Sequence, residues 1–202
     1  MKLRRRPGEV QRMTLPPPLA IIQARMGSTR LPGKMLREIQ GVPLIEHVWR
    51  RTVKAFGKRN TIVAHPASED NAPMIALLDK LGAQRFPWSG PENDVLSRFF
   101  HCAHYYRWHP DSVIVRVTAD DWRKSPATMR RVASGERHPV ELGAEAFTLA
   151  MLDEAHAKTE MESEKREHIT YAIFPTLPPA CPPGTWTIDT AEDIAAAENT
   201  SG

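Results

Sequence analysis

Cysteine is nearly absent: the chain has two, Cys102 and Cys181. Two thiols give neither a disulfide framework nor the ligand spacing of a zinc site. Cys102 falls on the apolar face of a helical pattern, which reads as a buried thiol, and a reducing cytoplasm fits. Long apolar runs are missing too, so no segment reads as a membrane span, and no apolar segment of leader type follows the basic start. The eight histidines are scattered without a metal pattern, and no internal repeat is visible. Excess charge is also missing from most of the chain. The net charge is +3, but Lys2, Arg4, Arg5, Arg6 and Arg12 set five positives against Glu9 before residue 13. The remainder is therefore slightly negative and has no basic surface of nucleic-acid-binding kind.

What remains describes a soluble globular chain, with 202 residues, 41% hydrophobic and 25% charged, long enough for one domain with a real core. Residues 1–18 are poor in apolar side chains and end in Pro16, Pro17 and Pro18, a flexible basic arm with a stiff stop. A solvated extension is the favoured reading of that arm; contact with nucleic acid is the alternative. Residues 19–202 form the single domain.

The domain is organised around its first segment. Leu19 to Ile22 is a short apolar run that predicts a buried strand. It opens into a loop carrying Arg25, Gly27, Ser28, Thr29, Arg30, Pro32, Gly33 and Lys34. Two glycines let the backbone approach a ligand, and three cations with backbone N–H groups suit a polyphosphate. It is not an ordinary P-loop: five residues separate Gly27 from Gly33, and Met35 stands where a magnesium-binding hydroxyl would follow the lysine. Any metal must be held by carboxylates from elsewhere.

Downstream, strand and helix patterns alternate. Helical spacing over Pro43–Phe56 puts Leu44, Ile45, Val48 and Trp49 on one face, with Gly57 as its stop. Strands are expected at Thr61–Ala64 and Ala83–Phe86, flanking a helix capped by Ser68 and running to Leu81. Asn93 is expected to cap a helix holding Leu96, Phe99, Phe100 and Ala103 inward, with Arg98 on the same helix. The β-branched run Ser112–Val117 predicts a central strand. Helices are expected at Pro126–Ala133, Leu149–Ala157 and Glu164–Phe174, an edge strand within Pro139–Phe147, and an irregular stretch at Pro175–Gly184. A last strand, Trp186–Ile188, precedes a helix capped by Thr190 with Asp193 at its third position. Alternation of this kind argues for a parallel α/β sheet.

Carboxylates follow two of those strands: Asp120 with Asp121, and Asp189. Acids at the carboxyl ends of parallel strands lie where such sheets bind ligands, and a hard divalent ion takes a few carboxylates with phosphate and water oxygens. Asp is equally at home in turns and helix caps, so the residues alone leave both readings open.

Five segments carry a resemblance. The run IIQARMGSTRLPGKML, the segments Asp94-Val95-Leu96-Ser97-Arg98 and Thr118-Ala119-Asp120, the run Arg166-Glu167-His168-Ile169-Thr170, and Thr187-Ile188-Asp189-Thr190-Ala191-Glu192-Asp193 occur in an order that resembles the spore-coat-polysaccharide type of cytidylyltransferase. These are relatives of the synthetases of CMP-activated acid sugars. The resemblance implies a three-layer α/β/α sandwich of nucleotide-diphospho-sugar transferase type. It implies transfer of CMP from CTP to a small acidic or sugar-like acceptor, with release of pyrophosphate. The nucleotide would be held by Gln23, Ala24, Arg25, Gly27, Ser28, Arg30, Lys34 and Arg98. Arg25, Lys34 and Asp120 would be catalytic, and Mg²⁺ would sit on Asp120 and Asp189. No membrane partner is implied; a homodimer is an expectation of the same kind.

Departures are also visible. Ala119 stands where the family has Gly, and Asp121-Trp122 where it has Cys-Pro, so Asp121 joins or replaces Asp120 as a metal ligand in this reading. The segments after Pro126 and before Trp186, which in relatives build the acceptor pocket, are short. A nucleotide-binding module without turnover is the alternative function. His168 reads as a satisfied helical histidine rather than an acceptor contact.

Overall fold

The computed structural model describes residues 16–106, 109–136, 144–174 and 187–200. The basic arm before residue 16, Cys181, the proline-rich stretch 175–184, Trp186 and the first part of the expected edge strand lie outside the described residues.

Five strands form the main sheet: β1 (Leu19–Gln23), β4 (Thr61–Pro66), β5 (Gln84–Trp88), β6 (Val113–Thr118) and β7 (Glu145–Thr148). They run in the order β5-β4-β1-β6-β7. All neighbours are parallel except β7, which is antiparallel to β6. β1 is the middle strand, and Leu19 to Ile22 are almost wholly buried, as a strand covered on both faces must be. Alternation along it feeds two cores. Ala20 and Ile22 join one core with side chains of α1 (Leu44–Phe56), α2 (Ala72–Leu81) and α4 (Pro126–Ala133). Leu19 and Ile21 join another with α3 (Val95–Tyr106), α5 (Leu149–Lys158) and α6 (Ile169–Ile173). The result is the three-layer α/β/α sandwich, with Trp49 in the first core and Cys102 fully buried in the second.

Two further elements complete the frame. A two-stranded hairpin, β2 (Glu38–Ile39) and β3 (Val42–Pro43), turns at Gln40 and Gly41, both with positive φ. Helix α7 (Ala191–Glu198) docks on that hairpin, where Glu198 accepts the Gln40 backbone N–H at 2.8 Å. Among the described residues no helix is long and apolar enough to cross a membrane.

The strand order decides where a ligand can go. From β1 the chain moves outward to β4 and β5, then returns to add β6 on the other side of β1. Gln23 is level with Ala64 on one side and with Thr118 on the other, so the loops leaving β1 and β6 diverge from one sheet edge. That divergence opens a crevice at their carboxyl ends.

Several elements differ from the sequence expectation. Ser68 precedes a 3-10 turn, Glu69–Asn71, rather than capping α2; its hydroxyl accepts from the Asn71 amide instead. Asp94, not Asn93, caps α3, its Oδ1 accepting the Ser97 N–H at 3.1 Å. The expected helix over Glu164–Phe174 is split into a 3-10 turn, Glu164–Arg166, and α6, with His168 between them. Residues 187 and 188 form no strand, only a single antiparallel bridge from Thr187 to Asp121.

Candidate functional site

A cleft of about 320 Å³ opens at the crevice between β1 and β6. Its wall includes Gln23 and Arg25 from the end of β1, Ser28, Arg30 and Lys34 from the loop, and Arg116, Thr118 and Asp120 from β6 and its exit. Glu167 and His168 close the side nearest α6.

The loop is shaped by its own backbone. The Met26 carbonyl accepts from Ser28 N at 2.9 Å and from Gly33 N at 3.3 Å, while Asn71 Oδ1 accepts from Met26 N at 3.0 Å. Ala24 continues β1, donating to Ala64 O at 3.2 Å. Gly27 packs so closely that a Cβ there would lie 2.9 Å from Glu92 Oε1. Gly33 adopts a left-handed conformation, φ 71° and ψ 13°, and starts the 3-10 turn that begins with Lys34.

That turn sends Lys34 inward, where it is 8% exposed. Its Nζ donates to Asp189 Oδ1 at 3.0 Å, to the Ile188 carbonyl at 2.9 Å and to Asp120 Oδ2 at 3.4 Å. Arg30 reaches Asp189 Oδ2 at 2.9 Å. The loop and the two acids, 86 and 155 residues beyond Lys34, thus converge on one point. Burial alone would push the Asp120 carboxyl up. The Lys34 and Lys124 ammonium groups and the Thr118 hydroxyl outweigh it and hold Asp120 below the ordinary carboxylate range. Asp189 is held from behind by helix α7. Asp193 Oδ2 accepts the Asp189 and Thr190 N–H groups at 2.8 Å each, and Thr190 Oγ1 accepts from Asp193 N. These bonds include a complete capping box.

Other residues fall differently. Arg25 spans the cleft mouth, donating to Asn93 Oδ1 at 2.9 Å and pairing with Glu167 at 3.4 Å. Arg98 is fully buried and does not reach the cleft wall. It donates to the Glu92 carbonyl, while its Nε and Nη1 have no partner. Burial, reinforced by Arg25, lowers its pKa to about 10. Asp121 points away from the cleft, is 1% exposed, and pairs with the equally buried Lys124 at 2.9 Å. It neither joins nor replaces Asp120, because its carboxylate is taken up by Lys124 in the interior and does not line the cleft.

Arg116 stands outside the residues expected from the sequence. It lies on the cleft wall, 9% exposed. Its Nε and Nη2 donate to Gln23 Oε1 at 3.2 and 3.1 Å, and its Nη1 to Glu145 Oε2 at 2.8 Å. A guanidinium inside the most β-branched strand was the available signal, since such a charge is buried only with partners. His168 lies outside the helix rather than within it. It precedes α6, is exposed, lines the cleft, and its ring meets Tyr171 edge-on.

The donor set suits a hard divalent cation. Two carboxylates already share one positive centre, Lys34 Nζ. Among the described residues no group of three or more His, Cys, Asp or Glu side chains could hold a metal ion. Asp120 and Asp189, which converge on Lys34, could supply two ligands, leaving the other positions to phosphate and water, the habit of Mg²⁺.

Comparison with known proteins bears on the same residues. The model of a family described as cytidylyltransferase matches residues 19–132. An uncharacterised protein of Methanocaldococcus jannaschii is 30% identical over 77% of this chain and 66% of its own length. 3-Deoxy-manno-octulosonate cytidylyltransferase 2 of Actinobacillus pleuropneumoniae is 30% identical over 66% of this chain but 52% of its own length. The chain thus spans between about half and two thirds of these curated relatives. A solved cytidylyltransferase from Leptospira borgpetersenii superposes with a TM-score of 0.72 at 22% identity, covering 89% of this chain and 84% of that one; this likeness speaks to the fold. The match covers β1, the cationic loop and Asp120 and takes in more than half of the sequence, and the chain belongs to the cytidylyltransferase family.

Proposed function

We propose that the chain transfers CMP from CTP to a small acidic, sugar-like acceptor. An acceptor oxygen attacks the α-phosphorus in line. The new O–P bond forms as the bond to the β-phosphate breaks, pyrophosphate leaves, and the acceptor proton passes to solvent. The observation that carries this reading is the meeting of Lys34 with both Asp120 and Asp189 on the cationic loop. Arg25, Arg30 and Lys34 bind and orient the triphosphate. Ser28 adds a hydroxyl beside them, and Gly27 keeps the backbone close. Asp120 and Asp189 would hold Mg²⁺, which would supply neutralisation of the charge developing on the phosphates. No protein nucleophile is needed, because placement and charge neutralisation carry such transfers.

The test is pyrophosphate release from each of the four nucleoside triphosphates with Mg²⁺ and a panel of carboxylated sugars. CTP with one such acceptor is expected to turn over. Lys34→Ala and Asp189→Ala are each expected to lower kcat by about 10²–10³ or more while CD still reports a folded chain. Rates like the parent's in either variant would reject the assignment.

A second reading, a nucleotide-binding module without turnover, is favoured by the altered residues after Asp120, where Asp121 and Trp122 stand and Asp121 is taken up by Lys124 in the interior. It predicts that CTP with Mg²⁺ raises the melting temperature by mass action while no acceptor releases pyrophosphate.

A further inference from the structure

One buried ion pair lies off the cleft wall, although its Lys124 ammonium acts on Asp120 through space. Asp121 and Lys124 are each 1% exposed, meet at 2.9 Å, and neither is on the cleft wall. Taking two charges out of water costs more than their attraction returns unless every remaining donor and acceptor is satisfied. Here Asp121 Oδ1 is buried with no partner, so the pair is a poor stabiliser. Apolar side chains of similar size would serve the core at least as well. The pair's position suggests what it does instead. Asp121 directly follows Asp120, and its backbone forms the antiparallel bridge to Thr187. The neighbouring Ile188 N–H donates to the Asp120 carbonyl at 2.8 Å. The segment carrying Asp189 is thereby hung on the two residues that follow β6. The side-chain contact from Asp121 to Lys124, three residues on, closes this turn from within. Trp122 anchors the turn in the first core, its ring packing edge-on against His47 at 5.3 Å.

We propose that Asp121 and Lys124 are a positioning pair. By fixing the turn after Asp120 they fix the bridge to residues 187–188, and so set Asp189 opposite Asp120 at the separation that Lys34 spans. The role given to the two acids rests on the function proposed above; the positioning itself does not.

The experiment compares the parent chain with Asp121→Leu, Lys124→Met and the double variant carrying both. Each single variant strands one buried charge and is expected to unfold at lower urea. The double variant removes both charges and is expected to regain the parent's midpoint. At that matched stability, amide hydrogen exchange is read over residues 187–193. The positioning pair predicts that the Ile188 and Asp189 amides lose about tenfold or more of their protection in the double variant, while β1 amides keep theirs. Calorimetric affinity for Mn²⁺–CTP is expected to fall in parallel. Unchanged protection over residues 187–193 in a stable double variant would overturn the proposal. So would Lys124→Met keeping full protection and Mn²⁺–CTP affinity while only Asp121→Leu loses them, since that pattern marks Asp121 as a direct ligand. Failure of the parent chain to bind CTP or release pyrophosphate would count against the proposed function alone, because the exchange measurement needs neither.

Discussion

Gly33 and Lys34 act as one device at the residue scale. The left-handed backbone of Gly33 is what turns Lys34 under the loop. There the ammonium finds three acceptors for its three donors, two of them carboxylates. A methyl group at Gly33 would meet nothing closer than Met26 Cε at 3.8 Å. A substitution there therefore costs backbone strain and no packing. Gly33→Ala is expected to lower unfolding free energy by about 1–2 kcal/mol, read by urea denaturation, and to reduce pyrophosphate release by more than that loss implies. Gly27→Ala makes the contrast. Its Cβ would press on the end of the Glu92 side chain, which swings away at the expense of an exposed ion pair with Arg25. Such pairs contribute about 0–1 kcal/mol, so urea denaturation should show little change. The identities of Gly33 and Lys34 were readable because a glycine-lysine step after a cationic loop has a local meaning. That Lys34 would meet both acids was readable only through the family resemblance, since no local pattern links residues so far apart.

Local chemistry decided some element boundaries and distant partners decided others. The Thr190–Asp193 capping box was legible in its spacing and is present. Adjacent Asn93 and Asp94 are both good caps by type, and propensity cannot rank them. Asp94 takes the role because Arg166, 72 residues away, grips its carboxylate at 2.9 and 3.2 Å. The same arginine also holds the Thr159 carbonyl and Ser97 Oγ. That grip fixes the 3-10 turn, and the helix restarts only at Ile169, leaving His168 turned to the cleft. No hydrophobic period in the sequence reports a break of this kind. The consequence is testable at the element scale. Arg166→Met would leave Asp94 buried without its counter-charge, and stability should fall by about 3–5 kcal/mol in urea denaturation. Thr190→Ala, which removes one bond from the capping box, should cost about 1 kcal/mol in the same assay.

At the scale of the whole molecule, the described residues pack two cores on one central sheet, and the response to acid follows from the titratable groups buried in and around them. His65 lies on β4, 1% exposed. Its Nδ1 donates to the Pro66 carbonyl at 2.8 Å, so Nε2 is the bare nitrogen of the neutral ring, and Nε2 has no partner. Burial is the main cause of its lowered pKa. Arg85 and Arg98 add to it, and the Pro66 carbonyl and Asp79 oppose it. Below its ordinary value of 6.5 the unfolded chain takes up a proton that the folded chain does not. Stability therefore falls as pH drops from about 6.5 towards the folded value, by at most about 1.4 kcal/mol per pH unit for one proton. His156, lowered mainly by burial and then by Arg166, adds in the same direction. Asp94 and Asp193 belong to a lower window. Their carboxyls would rise with burial but are held below 3.8, Asp94 by Arg166 and Ser97 and Asp193 by the Asp189 and Thr190 N–H groups. What they contribute is present above that value and lost as pH falls through their folded values. Asp121, raised by burial, works with opposite sign: its contribution fades as pH rises from 3.8 through its folded value. The two windows separate experimentally. The urea midpoint should decline between pH 7.5 and pH 5.5 in the parent chain, and His65→Leu should flatten that decline while leaving the steeper loss below pH 4 intact. An equal slope in both proteins above pH 5.5 would remove His65 as its source.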